Sequence, residues 1–481
     1  MFNPYVGISD NKNMQLNREI FREYDIRGIV ERDLSDEVVS SIAQGFGTCI
    51  RRISPGKEVV VAWDNRISSA RISSLVTAGL LSTGCDVIEI GEVPTPLFYF
   101  ANHHYQNAAG IMVTASHNPP EFNGFKLVIQ RKSIYGSQIQ DLRKVIEKGV
   151  FAQGTAKLRK DNIADLYFNA VKKRVKLERS IPVVIDAGNG VAGPFALKLL
   201  QDLGCKVVGI YCESDGNFPN HPPNPVVAEN LCDLSKKVKE TKSELGIAYD
   251  GDGDRIGVVD EEGRIIWGDK LLIILAKEIL EKLPGSPIIF DVKCSNALAE
   301  SIKENGGTPL MWKTGHSLIE DKLRKEKSPL AGELSGHIYF ADDWFGFDDA
   351  LYTSARLLQI LSREPGKKFS RHLSGIKQYY ASPEIRVPAP DAQKFLMVEE
   401  IKKYFQSRYE ISDIDGVKVF FKEGCKSAES SLEGWGLVRA SNTEASLVIR
   451  FEATTPEKLE QIKKIIMEQV EKRRGINATA T

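Results

Sequence analysis

Three aspartates separated by single glycines form the pattern in this sequence that is best suited to chemistry. Asp250, Asp252 and Asp254 directly follow the strand-like stretch LGIAY. Their carboxylates can converge on one hard cation, because the intervening glycines allow the backbone to turn tightly. Carboxylate oxygens suit Mg²⁺, which keeps open positions for water or phosphate. The triplet therefore predicts a Mg²⁺ site, in preference to a solvated acidic turn whose like charges would repel one another.

An EF-hand is an alternative interpretation of the same segment. Asp250, Asp252, Asp254 and Glu261 would occupy its positions 1, 3, 5 and 12. Its sixth position requires glycine, and Arg255 stands there. The flanking stretches LGIAY and IGVVD are strand-like, whereas an EF-hand needs helices on both sides. We therefore reject the EF-hand.

A second polar motif, TASHNPP, spans residues 114–120 and includes Ser116. The pattern predicts a strand followed by a helix that begins near Pro119, with Ser116 exposed in the loop between them. Backbone N–H groups at a helix N-terminus favour an anion, such as a phosphate on the serine oxygen, and Lys126 can add positive charge. Ser116 is therefore a candidate phosphate-bearing residue.

Two other interpretations of Ser116 compete with this one. The serine can simply cap the predicted helix, which is a common role for this residue type. A Ser-His hydrolase is disfavoured, because the adjacent residues Ser116 and His117 do not face each other and no G-x-S-x-G elbow surrounds the serine.

Two further polar loops contain residue types that bind ligands. Glu333 and Ser335, in the stretch GELSGH, alternate on one face and can both bond to hydroxyls of one small polar ligand. His337 in the same stretch is a candidate proton carrier near neutral pH. Arg439 begins the stretch RASNT, in which an arginine, two hydroxyls, an amide and turn N–H groups can cradle a phosphate. Taken alone, GELSGH is better explained as a polar turn, and RASNT can equally be an ordinary hairpin loop.

The stretch GNGVAG at 188–193 matches the dinucleotide-binding pattern G-x-G-x-x-G, and Glu213 follows at the spacing of a ribose-binding acid. Asp186 stands just before these glycines, where it would repel a pyrophosphate. The equivalent turns after Asp64 and Asp291 lack the pattern. We therefore disfavour a nicotinamide cofactor, and the sequence contains no P-loop motif.

The elements that must position these loops recur three times along the chain. Three strand-like stretches end in Asp64, Asp186 and Asp291, and each is followed by a helical stretch, a second strand and a third strand that runs into a polar loop. Short apolar strands that alternate with helices predict parallel βαβ units. Ligands bind beyond the carboxyl ends of such strands, where all three loops fall. The pattern predicts three similar consecutive α/β domains with mainly parallel sheets.

The C-terminal part of the chain follows a different pattern. VKVFF, WGLVRA and SLVIRFEA alternate with period two, and an amphipathic helix is predicted from Pro456 to about Arg473. These features indicate a C-terminal α+β domain, preceded by a linker in the three-proline segment 379–390. The predicted domain bounds are 1–161, 162–264, 265–378 and 379–481.

Composition excludes several classes of function. The 481 residues include 64 basic and 64 acidic side chains, so the basic surplus typical of nucleic-acid binders is missing. The apolar run at 271–276 is far shorter than the roughly 20 residues that span a membrane, and the N-terminus lacks the apolar region of a signal peptide. Seven cysteines without CxxC spacing predict free thiols in a reducing compartment. We therefore expect a cytoplasmic protein that binds neither nucleic acid nor membrane.

Together, the motifs resemble those of the α-D-phosphohexomutase family, most closely its bacterial phosphomannomutase/phosphoglucomutase branch. FREYDIRG at 21–28, TASHNPPEFNGFK, DGDGDR, GELSGH and RASNT occur in the family's order and at similar spacing. The ordered set is much more specific than any one motif. It covers nearly the whole chain and implies four domains around a central cleft.

The resemblance implies a role for each matching residue. Ser116 resembles the serine that is phosphorylated in the resting enzyme, and its phosphate would complete the Mg²⁺ ligand set of the three aspartates. The other implied catalytic residues are Arg27, Lys126, His316 and His337. The implied substrate contacts are Tyr24, Arg255, Lys293, Glu333, Ser335, Arg439, Ser441, Asn442 and Thr443.

The implied activity is reversible intramolecular phosphoryl transfer between hexose 1-phosphates and hexose 6-phosphates. A hexose 1,6-bisphosphate is the implied intermediate and activator, and it turns around in the cleft while the fourth domain acts as a lid. Leu334 is apolar like the Met that mannose and glucose enzymes often have there, which favours these two sugars. Hexose phosphates, one Mg²⁺ and a monomeric chain are expected. A Mg²⁺-dependent phosphatase and a silent sugar-phosphate binding protein are the alternatives.

Overall fold

Four sheets follow one another along the chain in the computed structural model, which describes residues 16–53, 58–106, 109–422, 432–442 and 444–478. The first three sheets have parallel strands at their centres, and the fourth is antiparallel. The predicted fold class, three α/β units followed by an α+β unit, is confirmed. Within the described ranges, no helix combines the length and apolar character needed to cross a membrane.

The first unit contains a seven-stranded sheet. Its elements are a 3₁₀ helix (Arg18–Ile20), β1 (Ile26–Ile29), α1 (Asp36–Ile53), β2 (Glu58–Trp63), α2 (Ser69–Ser82), β3 (Asp86–Glu92), α3 (Thr95–His104), β4 (Ala109–Val113), β5 (Phe122–Ile129), β6 (Lys132–Ser133), α4 (Ser137–Lys148) and β7 (Leu158–Lys160). The valine-rich β2 is buried along most of its length, as expected for a strand covered on both faces.

The second unit contains a five-stranded sheet. Its elements are α5 (Ala164–Arg174), β8 (Pro182–Asp186), α6 (Ala192–Asp202), β9 (Lys206–Ile210), a 3₁₀ helix (Ala228–Leu231), α7 (Cys232–Thr241), β10 (Leu245–Tyr249), β11 (Ile256–Asp260) and β12 (Ile265–Ile266). The flanks of the aspartate triplet are the strands β10 and β11, so the rejection of an EF-hand is confirmed.

The third unit contains a four-stranded sheet. Its elements are α8 (Gly268–Lys282), β13 (Pro287–Asp291), α9 (Asn296–Glu304), β14 (Thr308–Trp312), α10 (His316–Glu326), β15 (Leu330–Gly332), β16 (Ile338–Phe340), α11 (Ala350–Ser362) and a 3₁₀ helix (Phe369–Leu373). The apolar run at 271–276 lies in the buried part of α8.

All three units share one strand order, which confirms the internal repeat. The first parallel strand of each unit lies between the other two, as β3-β2-β4, β9-β8-β10 and β14-β13-β15. An antiparallel strand then follows each polar loop, namely β5, β11 and β16. The sequence predicted β11, the stretch IGVVD, as a strand, but it did not predict β5 or β16.

The helix predicted near Pro119 is wrong. A turn follows Ser116 instead and leads into β5, which pairs with both β4 and β1. The eight residues of β5 are almost continuously buried, and this burial hides any periodicity in the sequence. The phosphate-binding argument from a helix N-terminus therefore fails for Ser116.

The fourth unit contains a six-stranded antiparallel sheet. Its elements are β17 (Tyr380–Ala381), β18 (Ile385–Pro388), α12 (Asp391–Gln406), β19 (Glu410–Ser412), β20 (Val417–Lys422), β21 (Leu432–Ala440), β22 (Ser446–Ala453) and α13 (Pro456–Ala478). The segment 379–390 is more than a linker, since β17 and β18 both pair with β22. The helix α13 begins as predicted and ends later than predicted.

Buried side chains divide the molecule unequally. One core joins all of the first three units, and it includes Val60 of β2, Ile185 of β8 and Phe290 of β13. The fourth unit has its own core between its sheet and α12 and α13. The first three units are therefore held together by shared apolar contacts, and a smaller apolar cluster of Val292, Trp435 and Leu437 joins the third unit to the fourth.

Free thiols are confirmed for the cysteines that the structure describes. Cys49, Cys85, Cys205, Cys212, Cys232 and Cys294 are all free. Cys425 lies outside the described residues.

Candidate active site

The candidate residues gather because they follow equivalent strands. Ser116 comes after β4, Asp250 after β10 and Glu333 after β15, and each of these is the third parallel strand of its unit. The carboxyl ends of these strands open onto the space between the units, as expected for ligand sites of open parallel sheets. Arg439 approaches from the fourth unit, near the end of β21.

Ser116 lies directly against the aspartate triplet. Its Oγ donates a hydrogen bond to Asp250 Oδ2 at 2.6 Å. His117 Nδ1 lies 3.1 Å from Ser116 Oγ, so the expectation that these adjacent residues do not face each other is wrong. Only 1% of Ser116 is exposed, so the expectation that it is exposed is wrong. The residue is buried because the loop of the second unit closes over it. Its φ of 51° places a non-glycine residue in the left-handed region.

The three aspartates form a fully buried cluster of oxygen ligands. One oxygen from each of Asp250, Asp252 and Asp254 lies within 4.8 Å of the others. Asp250 Oδ1 accepts the N–H groups of Gly253, Asp254 and Arg255, all at 3.1 Å. Among the described residues, Asp252 Oδ1 and Asp254 Oδ1 have no hydrogen-bond partner although both are buried. A hard cation such as Mg²⁺ fits this set, because it would satisfy the two orphaned oxygens.

Lys126 supplies the nearest positive charge. Its Nζ lies 3.2 Å from Asp252 Oδ2 and also pairs with Asp254. Burial acts to lower the pKa of Lys126, but Asp252 and Asp254 raise it well above its usual value. Burial and the two neighbouring aspartates raise the pKa of Asp250 well above its usual range. Burial acts the same way on Asp254, but Lys126 and other nearby cations hold its pKa well below that range.

Two histidines stand beside this cluster. His337 Nε2 accepts a hydrogen bond from Arg255 Nε at 2.9 Å, and His337 Nδ1 lies 2.7 Å from Asp348 Oδ2. The ring of His316 lies 6.1 Å from that of His337 and 5.9 Å from that of Tyr24. Burial and the charge of Lys126 lower the pKa of His316 well below its usual value. His316 is therefore neutral near pH 7.

Glu333 is fixed at the start of the loop between β15 and β16. Its carboxylate accepts the N–H of Gly315 at 2.8 Å and the hydroxyl of Tyr339 at 3.2 Å. Burial raises the pKa of Glu333. Ser335 is half-buried in the same loop. Lys293 lies nearby on the loop after β13, with its Nζ 3.4 Å from Glu384 Oε2 of the fourth unit.

The fourth unit contributes the phosphate-cradle residues to the same space. Arg439 is buried, and its Nε donates to Asp415 Oδ2 at 2.9 Å. Asn442 donates to the hydroxyl of Tyr24, which comes from the first unit, at 2.5 Å. Ser441 Oγ accepts the N–H of Glu444. The predicted Thr443 lies outside the described residues.

Arg27 approaches the Ser116 loop from β1. Its guanidinium donates to Asn118 Oδ1 at 2.7 Å and to Asp25 Oδ2 at 2.7 Å. Burial acts to lower the pKa of Arg27, but Asp25 and the other nearby carboxylates raise it. The structure therefore brings all of the predicted site residues that it describes to one cleft.

Sequence reasoning missed several residues that shape this cleft. Thr95 Oγ1 donates to Asp252 Oδ2 at 2.6 Å, and Asp348 and Asp415 contact His337 and Arg439 as described above. Arg66 makes extensive contacts with the Ser116 loop. A signal existed only for Arg66, because it follows Asp64 at the carboxyl end of β2. Thr95, Asp348 and Asp415 lie in segments without a motif.

The dinucleotide-like glycines have a packing role. A Cβ on Gly193 would stand 2.3 Å from the carbonyl oxygen of Cys212, so this helix start can approach the neighbouring loop only without a side chain. Asp186 accepts the N–H of Gly188 at 2.9 Å, and the imidazole of His221 lies 3.2 Å from its carboxylate. These contacts explain the pattern without a nicotinamide cofactor.

Comparison with known proteins gives consistent results over the whole molecule. Family models described as phosphoglucomutase/phosphomannomutase match in four parts: alpha/beta/alpha domain I at 18–153, domain II at 165–263, domain III at 267–379 and the C-terminal domain at 384–469. A phosphomannomutase/phosphoglucomutase of Pseudomonas aeruginosa is 43% identical over 96% of this chain and 98% of its own length. A phosphoglucomutase of Neisseria gonorrhoeae is 41% identical over 93% of this chain and 95% of its own length.

A solved structure supports the same assignment. The crystal structure of a phosphoglucomutase/phosphomannomutase family protein from Burkholderia thailandensis superimposes with a TM-score of 0.87 at 41% identity, covering 95% of this chain and 98% of that one. The fold and the cleft define a sugar-phosphate mutase type of enzyme. The chain belongs to the phosphoglucomutase/phosphomannomutase family.

Proposed function

We propose that the protein interconverts hexose 1-phosphates and hexose 6-phosphates, of mannose, glucose or both, by moving a phosphoryl group between Ser116 and the sugar. One observation above all supports this proposal: the Ser116 hydroxyl lies 2.6 Å from Asp250, inside a cluster of candidate metal ligands and buried cations. Phosphoryl transfer depends mainly on positioning and on neutralisation of charge. This arrangement is suited to both.

In the proposed cycle, phosphorylated Ser116 gives its phosphoryl group to a free hydroxyl of the bound hexose phosphate. The bond between phosphorus and the serine oxygen breaks, a new bond to the sugar oxygen forms, and the hydroxyl proton passes to a base. The resulting hexose 1,6-bisphosphate turns around, and its other phosphoryl group passes to Ser116 Oγ. In this step the bond from that phosphorus to the sugar oxygen breaks, the Ser116 hydroxyl loses its proton to a base, and the sugar oxygen takes up a proton. Arg439, Ser441, Asn442 and Thr443 bind the phosphate that does not react.

The charge states near the cleft suggest how the proton moves. His316 is neutral near pH 7, because its pKa is lowered, so its imidazole can accept a proton. Lys126 stays protonated, because its pKa is raised, and its ammonium neutralises phosphoryl charge. His337 is held by Arg255 on one side of the ring and by Asp348 on the other. We assign His316 as the base for at least one of the two transfers.

The aspartate triplet is assigned to one Mg²⁺ per chain. Asp250, Asp252 and Asp254 would hold the ion together with an oxygen of the Ser116 phosphate. When bound, it would supply Lewis-acid stabilisation of the charge that develops on the transferred group. Thr95 and Lys126 orient Asp252 through its Oδ2.

The sugar contacts are assigned to the loop between β15 and β16. Glu333 and Ser335 would bind hydroxyls of the hexose, with Tyr24, Arg255 and Lys293 around them. Leu334, between Glu333 and Ser335, is apolar, which favours mannose and glucose over glucosamine. We propose further that the enzyme acts as a cytoplasmic monomer on free hexose phosphates.

Phosphorus NMR tests the function. The protein is incubated with Mg²⁺, mannose 1-phosphate and trace glucose 1,6-bisphosphate, and the experiment is repeated with glucose 1-phosphate. Appearance of the 6-phosphate without inorganic phosphate is expected, and the two rates give the sugar preference. Release of inorganic phosphate alone would replace the proposal with a phosphatase, and no change in either tube would leave only a binding role. The Ser116→Ala variant serves as the control for background conversion.

A further inference from the structure

Arg66 is bound to the Ser116 loop more extensively than any predicted site residue described above. It follows β2, and its side chain is completely buried, with 0% exposure. Its Nη1 donates to the carbonyl oxygens of Pro119 and Phe122 at 2.6 and 3.0 Å. Its Nη2 donates to those of Ser116 and Asn118 at 2.7 and 2.6 Å. One guanidinium thus holds four carbonyl groups of the loop that contains Ser116.

The shape of this loop requires such a donor. Ser116 adopts a φ of 51°, a conformation that L-residues with a side chain rarely take. The carbonyls of Ser116 and Asn118 both accept from Arg66 Nη2, and the bond to Ser116 is fully buried. Buried carbonyls without a donor are strongly disfavoured. The guanidinium therefore stabilises the conformation that aims Ser116 Oγ at Asp250.

Arg66 is itself braced from two sides. Its Nε lies 3.2 Å from Asp64 Oδ2, and Asp64 Oδ1 accepts the backbone N–H of Arg66. The guanidinium lies 5.3 Å from the ring centroid of Phe218, a residue of the second unit. On the opposite side of the loop, a Cβ on Gly251 would stand 2.3 Å from the Ser116 carbonyl oxygen. The Ser116 carbonyl is thus enclosed between Arg66 and the aspartate loop.

We propose that Arg66 is a positioning residue for phosphoryl transfer. It fixes the Ser116 loop through its four carbonyl bonds and connects that loop to the second unit, which carries the aspartates. Only arginine offers five donors in a planar fork, and a lysine ammonium in its place has three donors on a point charge. Arg66 does not contact the cleft residues that bind the sugar. This inference rests on the proposed mutase function.

The test is the Arg66→Lys variant, which keeps the positive charge and removes the planar guanidinium with its several donors. We expect kcat to fall about 100-fold and the KM for hexose phosphate to stay within about threefold, because misplacement of Ser116 by about 1 Å slows transfer without changing the sugar contacts. Amide hydrogen exchange of the peptide covering 114–124 should be at least about tenfold faster. Arg179→Lys is the matched control, since the Arg179 guanidinium donates to both carboxylate oxygens of Glu244 and to the Leu361 carbonyl, away from the cleft. Its kcat should stay within about twofold of wild type.

The outcomes separate this inference from the function on which it rests. Absence of mutase turnover in the wild type would contradict the proposed function. If the wild type turns over, and folded Arg66→Lys has the same kcat and the same amide hydrogen exchange at 114–124, the role of Arg66 is overturned. If Arg66→Lys does not fold, Phe218→Leu removes only the aromatic brace. A lower kcat with unchanged KM in that variant supports the inference, and a kcat equal to wild type contradicts it.

Discussion

At the scale of single residues, replacement of the buried Ser116 should affect both turnover and stability. Ser116→Ala removes the proposed phosphoryl carrier, so we expect turnover to fall at least about 1,000-fold. Asp250 keeps its three backbone donors, and we expect the lost hydrogen bond to cost only about 1–3 kcal/mol of stability. Steady-state assays and thermal unfolding measure the two effects. Ser354→Ala, a buried serine that bonds Tyr249, is the control and should retain activity. Near-wild-type turnover of Ser116→Ala would remove the serine from the mechanism.

The orphaned oxygen of Asp252 leads to a second prediction. Asp252→Asn replaces a charged ligand by a neutral one in the cluster, so the Mg²⁺ concentration for half-maximal activity should rise at least about tenfold. Calorimetric Mg²⁺ titration measures the same change without turnover. Asp260→Asn is the control, because Asp260 is also buried but accepts from Glu262 and Arg264 of its own turn, so the titration should be unchanged. An unaltered titration of Asp252→Asn would exclude Asp252 as a ligand.

Residue types and spacing predicted most of this site but not its support. The aspartate triplet and the loops at Ser116, Glu333 and Arg439 were predictable, because each combines reactive side chains after a strand end. Asp348 and Asp415 were not, because each reaches the cleft from a segment distant in sequence and without a motif. The burial of Ser116 was also not predictable, since it arises from packing between two units.

At the scale of elements, the three-fold repeat and the strand β11 were predictable from the sequence, whereas the antiparallel strands β5 and β16 were not. The parallel strands end in Asp64, Asp186 and Asp291, which marks the repeat directly. The strand β5 is almost uniformly buried and β16 has only three residues, so neither has a period that distinguishes strand from helix. The incorrect helix near Pro119 followed from the two prolines, which are typical of helix starts and of turns alike.

The start of α11 provides a pH-dependent prediction. Asp349 caps this helix by accepting the N–H of Tyr352, and it also accepts from the Tyr167 hydroxyl and Trp344 Nε1. Burial raises the pKa of Asp349 to about 7. Between pH about 4 and 7 the unfolded chain ionises this group and the folded chain does not, so stability from Asp349 falls as pH rises, by at most about 1.4 kcal/mol per unit. Above pH 7 this contribution is constant.

The Asp349→Asn variant isolates that effect. Asparagine keeps an acceptor for the helix cap and stays neutral at every pH. The melting temperature of the variant minus that of the wild type should therefore increase from pH 5 to pH 7 and be level above pH 8. A difference that is constant across the whole range would contradict the raised pKa.

At the scale of the whole molecule, the fourth unit has a main core of its own and shares a much smaller apolar cluster with the third unit, so we expect it to move against the other three. Polar contacts at Thr314 are among those that join it to the other units, together with the Asn296 N–H to Glu452 and Lys418 Nζ to the Val292 carbonyl. Asp415 accepts both the Thr314 N–H at 3.1 Å and Arg439 Nε, while Tyr24 donates to the Thr314 carbonyl at 2.7 Å and accepts from Asn442. One residue of the third unit thus joins the first and fourth units over the cleft.

Removing Asp415 should therefore open the molecule. In Asp415→Ala, the N–H of Thr314 and the Arg439 guanidinium lose their shared acceptor, so we expect a larger radius of gyration by small-angle scattering and a KM raised about tenfold. Saturating hexose phosphate should restore most of the wild-type radius, because its phosphate would give Arg439 a new partner. Asp413→Ala, in the same loop, is the control, since Asp413 is exposed and lies 3.7 Å from Lys402 only. If the unliganded radius of Asp415→Ala equals that of wild type, these contacts do not hold the fourth unit closed, and any rise in KM would reflect the orientation of Arg439 alone.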